Sequence, residues 1–461
     1  MSRRPLFDKT LLTVRSSSGE LNLVKLAIPI FLELLFNNLI GTVGTTILSG
    51  YSEEAVVATG TVNIIFNLFI AVFASLATGV AVVISNLLGA ERIKESQNAI
   101  YTGIILVGGF GVLCGLSMFL LSSSIATAMN LTGTVFSMAV TYIKLRSLEL
   151  VFLALSTVLL AELRCFGYSK STVVVGVIKN VLNTIFSFYA VNLATIPVLS
   201  GVSGVGIGFI LCQAIAFLIS LSVFLHARIK VLPTRSIKNL INLSGKVLKI
   251  GIPTCISNAS FNLSQIVTNS FAVLMGMDDV AGKIYLANIL CFAPLFSGGV
   301  GTANALLVGR LYGAKNYDHA ERINKMLVCV AVPVNVLVTL SILILRIPLL
   351  SIFTDNKAIF AMSLSIILVD FIVEIARGFS HIYEYALRGV RDVNVVMVVT
   401  FCSCWIFGVG LSYLTGITLG LGLIGCYIGL AADETVRAFI SIYRWRKGSW
   451  KRNNTISVTE Y

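Results

Sequence analysis

The chain has 461 residues, 56% of them hydrophobic and only 12% charged. A soluble domain carries roughly 25% charged residues, so the composition excludes a water-soluble globular protein. The net charge of +13 does not point to nucleic acid either, because its basic residues are spread over short connectors between apolar runs. Charge-free stretches at 55–90, 96–143, 180–225 and 393–432 are each long enough for one or two helices of about 20 apolar residues. Helices satisfy their own backbone hydrogen bonds in lipid. The expected fold class is therefore an all-α polytopic membrane protein.

In chain order, residues 1–20 read as a basic, polar tail without the apolar core and cleavage site of a signal peptide. Six spans follow near 21–46, 54–87, 97–122, 138–161, 170–193 and 204–226, making an N-lobe of residues 21–227. A polar, basic linker at 228–246 is suited to the inner membrane surface. Six more spans near 247–275, 282–309, 324–345, 359–387, 394–414 and 423–443 make a C-lobe of residues 247–446, followed by a tail at 447–461. Pro29, Pro253, Pro294 and Pro333 fall inside spans, where each removes a backbone donor and favours a kink. Such kinks serve gating or merely reflect irregular packing. The nine cysteines have no metal or redox spacing and read as small packing residues.

Positive charge alternates with membrane crossing. Arg92 and Lys94, Arg164 and Lys170, Arg228 to Lys238, Arg310 to Lys325, and Arg388 with Arg391 occupy one set of connectors. The other set is acidic, mixed or uncharged, as at Glu53–Glu54 and 195–203. By the positive-inside rule both termini are cytoplasmic, and the expected location is the plasma (inner) membrane.

The two halves repeat one another. "KLAIP" at Lys25–Pro29 returns as "KIGIP" at Lys249–Pro253, "NLLGA" at Asn86–Ala90 as "RLYGA" at Arg310–Ala314, and "LRCFG" at Leu163–Gly167 as "LRGVR" at Leu387–Arg391. All three pairs share one offset (253−29, 314−90 and 388−164 each give 224). "GVGIG" at Gly204–Gly208 and "GCYIG" at Gly425–Gly429 are 221 apart. Six spans per half make the repeats parallel, two pseudo-symmetric bundles related by an axis along the membrane normal.

Most intramembrane charge lies in span ten, which holds Asp370, Glu374, Arg377, His381, Glu384, Tyr385 and Arg388. Their spacing stays close to 3.6, so they form one polar stripe. Each charge facing lipid would cost roughly 2.5–3.5 kcal/mol, which turns the stripe towards the bundle interior or an aqueous cavity. Asp370 and Glu374, one turn apart, cannot both ionise freely in a low-dielectric site. The pair is a candidate to exchange a proton or to hold Na⁺, with Arg377 setting its charge balance and His381 extending a relay. The structural alternative is a buried Glu374–Arg377 pair that only locks the helix. Glu33, Asn262, Ser264 and Gln265 are further candidate ion or substrate contacts. Glu149 and Glu162 read as near-surface or paired residues, and Asp433, Glu434 and Arg437 as an interfacial, structural cluster. There is no P-loop, metal-ligand spacing or nucleophile elbow, so the chain reads as a non-enzyme driven by an ion gradient or passive.

The order and spacing of these motifs over residues 21–450 resemble the multidrug and toxic compound extrusion (MATE) family. Arg388–Gly389 with Arg391–Asp392, Asn180 with Asn183, and "ADETVRAFISIYRWRKGSW" at Ala432–Trp450 resemble its bacterial members. The resemblance implies a twelve-helix, two-lobed antiporter that expels small organic, often cationic, compounds in exchange for Na⁺ or H⁺. It implies no further cofactor, no nucleic-acid partner, membrane lipid as the surroundings, and a monomer. One departure stands out: Gly44 occupies the place where the family often has an ion-coupling aspartate in span one, and the span-five aspartate of some members is also not evident. Glu374 and Arg377 match the family's "E..R" pattern, which moves the expected coupling site to the C-lobe. A lipid-linked saccharide flippase of the same superfamily and a non-coupling sensor or scaffold are the alternatives.

Overall fold

The computed structural model describes residues 12–16, 19–49, 52–194, 196, 199–233 and 236–451, without the side chains of 15–16, 40–49 and 53. The expected tail holds a short antiparallel hairpin, β1 (Thr13–Ser16) and β2 (Gly19–Asn22), with Thr13 opposite Asn22. The helices of the first half are α1 (Leu23–Ser49), α2 (Glu53–Gly89), α3 (Ile93–Leu120), α4 (Ser122–Ala128), α5 (Gly133–Cys165), α6 (Ser169–Asn192) and α7 (Gly201–His226). Those of the second are α8 (Ile237–Met275), α9 (Met277–Leu290), α10 (Ala293–Gly313), α11 (Tyr317–Ile344), α12 (Arg346–Leu350), α13 (Lys357–Gly389), α14 (Val393–Ser403) and α15 (Leu423–Arg446). With α9–α10 as one broken span and α4 and α12 as short connectors, each half supplies six crossings. Among the described residues, seven helices are long and apolar enough to cross a membrane, and the α9–α10 pair makes an eighth if it is one span. The other four, α1, α5, α8 and α15, are 27, 33, 39 and 24 residues long and carry charges within their length.

Three elements differ from the expected spans. α8 begins at Ile237, inside the segment read as a linker, because nothing between Ile237 and Pro253 breaks the helix. Span eight bends by 48° between α9 and α10, and Pro294 sits in the first turn of α10, where its missing N–H costs nothing. After α14 the backbone widens into π-helical turns over Cys404–Leu411 and Tyr413–Thr418. α15 packs closely on them: a Cβ on Gly429 would lie 2.1 Å from Ser412 Oγ, and one on Gly425 2.4 Å from the backbone nitrogen of Gly416. The glycines of "GCYIG" are there for close approach.

The chain divides into two compact units, one of residues 32–87 and 92–252, the other of 1–31, 88–91 and 253–461. Their bounds differ from the expected lobes, since the division falls within α8. In the first unit α5 packs on α3 and α7, and in the second α13 packs on α11 and α15, so the duplication extends to packing. It also extends to helix ends. Glu91 and Lys315, 224 apart, both adopt left-handed φ of 57°, as do Gly167 (88°) and Arg391 (65°). Beyond the first pair, Arg92 N bonds Leu87 O at 3.0 Å and Asn316 N bonds Leu311 O at 2.9 Å, closing the last turn in the Schellman manner.

Candidate functional site

α13 carries its polar residues on its buried side. Asp370 is 2% exposed and Glu374 is fully buried, whereas Leu368 and Ile372 on the opposite face are more than half exposed. The stripe therefore points into the second unit, where α15 completes it. Arg377 Nη1 donates to Glu374 Oε1 at 2.7 Å and its Nε to Glu434 Oε1 at 3.0 Å. Arg437 Nη2 lies 2.5 Å from the same Glu434 oxygen, its Nε 3.3 Å from Asp433 Oδ1 and its Nη1 3.8 Å from Glu384 Oε1. Arg388 Nη2 is 4.0 Å from Glu384 Oε2. Ser380 Oγ donates to Glu434 Oε2 at 3.2 Å.

A neutral arm continues from the other oxygen of Glu374. Asn335 on α11 donates to Glu374 Oε2 at 3.1 Å and to Ser297 Oγ on α10 at 3.1 Å. Ser297 Oγ meets His381 Nδ1 at 2.9 Å. His381 is thus joined to Glu374 through two side chains, Asn335 and Ser297.

These groups border a cavity of about 500 Å³ lined by α8, α9, α13 and α15, among them Asp370, Arg377, His381, Glu384 and Glu434. That volume is within the range of small-molecule pockets. Five carboxyl groups (Asp370, Glu374, Glu384, Asp433, Glu434) stand against the three guanidinium groups of Arg377, Arg388 and Arg437. Lys283 on the cavity wall adds one positive charge, leaving an excess of one acid. Asp370 Oδ2 is buried with neither a hydrogen bond nor an ion pair among the described residues, whereas Glu384 Oε1 and Asp433 Oδ1, also without a hydrogen bond, lie 3.8 and 3.3 Å from Arg437. Thr400, another wall residue, likewise has an unpartnered buried Oγ1. No group of three or more His, Cys, Asp or Glu among the described residues is arranged to hold a metal ion. Any Na⁺ there would rely on one carboxylate and neutral oxygens.

Of the expected contacts, Asp370, Arg377, His381 and Gln265 line the cavity and Glu374 lies directly behind Arg377. Asn262 is exposed, its side chain bonded to Asn258 O at 2.8 Å, and Ser264 is buried against Phe261 O at 2.8 Å; neither lines the cavity. Glu33 belongs to the other unit. Both its oxygens meet Arg164 Nη2 at 2.7 Å, and Thr172 Oγ1 donates to Oε2 at 3.3 Å. Gly44 falls in α1 within the stretch whose side chains lie outside the described residues. Glu149 pairs with Arg146 at 2.8 Å. Glu162 is not near-surface: it is fully buried, with neither oxygen bonded among the described residues. The largest correction concerns Asp433, Glu434 and Arg437, which are buried at the centre of the network rather than at the interface.

Twelve helical crossings in two repeated bundles, with a charged cavity inside one of them, define the architecture of a multi-pass membrane transporter. The MatE family model matches residues 29–189 and 253–414, one match for each half and again 224 apart at their starts. The chain belongs to the MATE family. It is 32% identical over 457 residues to the "Uncharacterized transporter YisQ" of Bacillus subtilis, covering 97% of this chain and 98% of that protein. It is 26% identical to the "Probable multidrug resistance protein NorM" of Thermotoga maritima, over 94% of each chain. Its fold matches a solved outward-facing multidrug resistance MATE transporter of the MOP superfamily with a TM-score of 0.85 at 21% identity, covering 93% of this chain and 96% of the other. It also matches a MOP superfamily transporter from Pyrococcus furiosus, TM-score 0.84 at 20% identity and the same coverage.

Proposed function

We propose that the chain is an antiporter of the plasma membrane that exports small organic cations in exchange for H⁺ or Na⁺ by alternating access. The single observation behind this reading is Asp370, a buried carboxylate on a cavity wall with an oxygen left unpaired in a network that has one acid too many. A cation there removes the cost of a bare buried charge. A coupling cation and an organic cation would compete for the same excess, so that binding of one favours release of the other. Glu374, Arg377 and Glu434 hold one another and position the site; Asp370 does the exchanging. The name of the NorM relative, a probable multidrug resistance protein, agrees with drugs as cargo.

The test is efflux of ethidium from everted vesicles under separate Na⁺ and H⁺ gradients. Asp370→Asn is expected to reduce gradient-driven efflux by at least tenfold while the protein remains monodisperse. Unchanged efflux in that variant, or no efflux by the native chain under either gradient, refutes the reading. The second outcome would favour a flippase or sensor.

A further inference from the structure

Lys283 is the lysine on a cavity wall that otherwise carries three carboxylates (Asp370, Glu384, Glu434) and three guanidinium groups (Arg377, Arg388, Arg437). A lysine there would ordinarily pair with the acid one turn earlier on its own helix, and that acid is Asp279. Asp279 is occupied elsewhere, its Oδ1 accepting from the backbone nitrogen of Leu423 at the start of α15, 3.3 Å away. Lys283 makes no ion pair or hydrogen bond among the described residues. Asp370, on the wall of the same cavity, has its own unpaired buried oxygen. The nearby guanidinium, Arg377, is already divided between Glu374 and Glu434.

The helix register sets how far apart these two charges stand. Gly282, next to Lys283, faces α13 at Met362, whose Sδ would lie 2.9 Å from a Cβ built on that glycine. Asp370 is eight residues further along α13, about 12 Å at 1.5 Å per residue. Ala287 and Leu290 of α9 also line the cavity and add apolar surface to it. An ammonium on a flexible four-carbon stem and a carboxylate thus share one enclosure, with neither the Lys283 ammonium nor Asp370 Oδ2 hydrogen-bonded among the described residues.

We propose that Lys283 is a built-in counter-cation: a tethered ammonium that neutralises Asp370 when no external cation is bound and is displaced by the one that arrives. The proposal rests on Asp370 as the coupling group. Its consequence is an affinity threshold. If Lys283 occupies Asp370 about nine-tenths of the time, the apparent affinity for the coupling cation is about tenfold weaker than the intrinsic one.

Ethidium efflux by the reconstituted full chain, measured against rising Na⁺ at fixed pH and against falling pH without Na⁺, tests this. Lys283→Gln is expected to reach half-maximal rate at about tenfold lower concentration of whichever cation drives the native chain. Lys283→Arg, which keeps the charge, is expected to restore the native dependence. A Lys283→Gln curve that superimposes on the native one overturns the counter-cation. So does complete loss of efflux in both Lys283→Gln and Lys283→Met when each is monodisperse by gel filtration, since Lys283 would then serve the cargo itself. Cation dependence that survives in Asp370→Asn instead overturns the coupling reading beneath the proposal, whatever the Lys283 variants do.

Discussion

Two buried carboxylates on facing helices should respond oppositely to neutralisation. Glu434 accepts from Arg377 and Ser380 and ion-pairs with Arg437, so Glu434→Gln leaves two guanidinium groups without their shared anion. Breaking a buried pair costs about 3–5 kcal/mol, and thermal unfolding of the detergent-solubilised protein should show a large fall in Tm. Asp370→Asn removes a buried charge whose Oδ2 has no hydrogen-bond partner among the described residues, and its Tm should hold or rise even as coupling is lost. Asn335→Ala should be intermediate, about 1–3 kcal/mol, because Glu374 Oε2 and Ser297 lose a donor. Asp370, Glu374 and Arg377 were legible in the sequence because charge at a 3.6 spacing within an apolar span has few other meanings. Asn335 and Ser297 were not, since neutral polar residues are common in membrane helices and only a partner makes them informative. Glu434 and Arg437 were misread because charge near a span's end suggests the interface, and nothing local says how deeply α15 is packed.

Among the elements, most spans were recovered to within a few residues of their ends, but α8 and α11 begin earlier than expected, at Ile237 and Tyr317, and the irregularities within spans were mostly missed. Pro294 suggested a kink, and the chain breaks there into α9 and α10. The π-helical turns after α14 have no proline or charge to announce them. They meet α15 at Gly429, and Gly429→Ala should cost about 1–3 kcal/mol through overpacking, read as a lower Tm with efflux per folded molecule little changed. Just after α15, Trp450 is fully buried, stacked on Trp445 with centroids 4.4 Å apart and its Nε1 donating to Trp445 O at 3.0 Å. Trp450→Ala should cost about 3–5 kcal/mol. The segment expected as a tail from Lys447 onward is anchored at its beginning.

For the molecule as a whole, orientation follows from charge. Connectors rich in Arg and Lys should stay inside. A green fluorescent protein fused after Lys451 should fluoresce, and alkaline phosphatase fused after Ser351 should be active while the same enzyme after Lys230 is not. An active fusion after Lys230 would reverse the topology.

The sequence alone determined the class of protein, because apolar runs of about 20 residues or more cross lipid as helices and repeated motifs mark the two halves as duplicates. It also determined which face of α13 is polar, since helical periodicity is a local property. Only the tertiary structure decided which acids matter. Whether a buried carboxylate is spent on an arginine, as Glu374 and Glu434 are, or left with an unpaired oxygen, as Asp370 is, depends on side chains brought from α11 and α15. Such contacts join residues tens of positions apart, beyond the reach of any spacing rule.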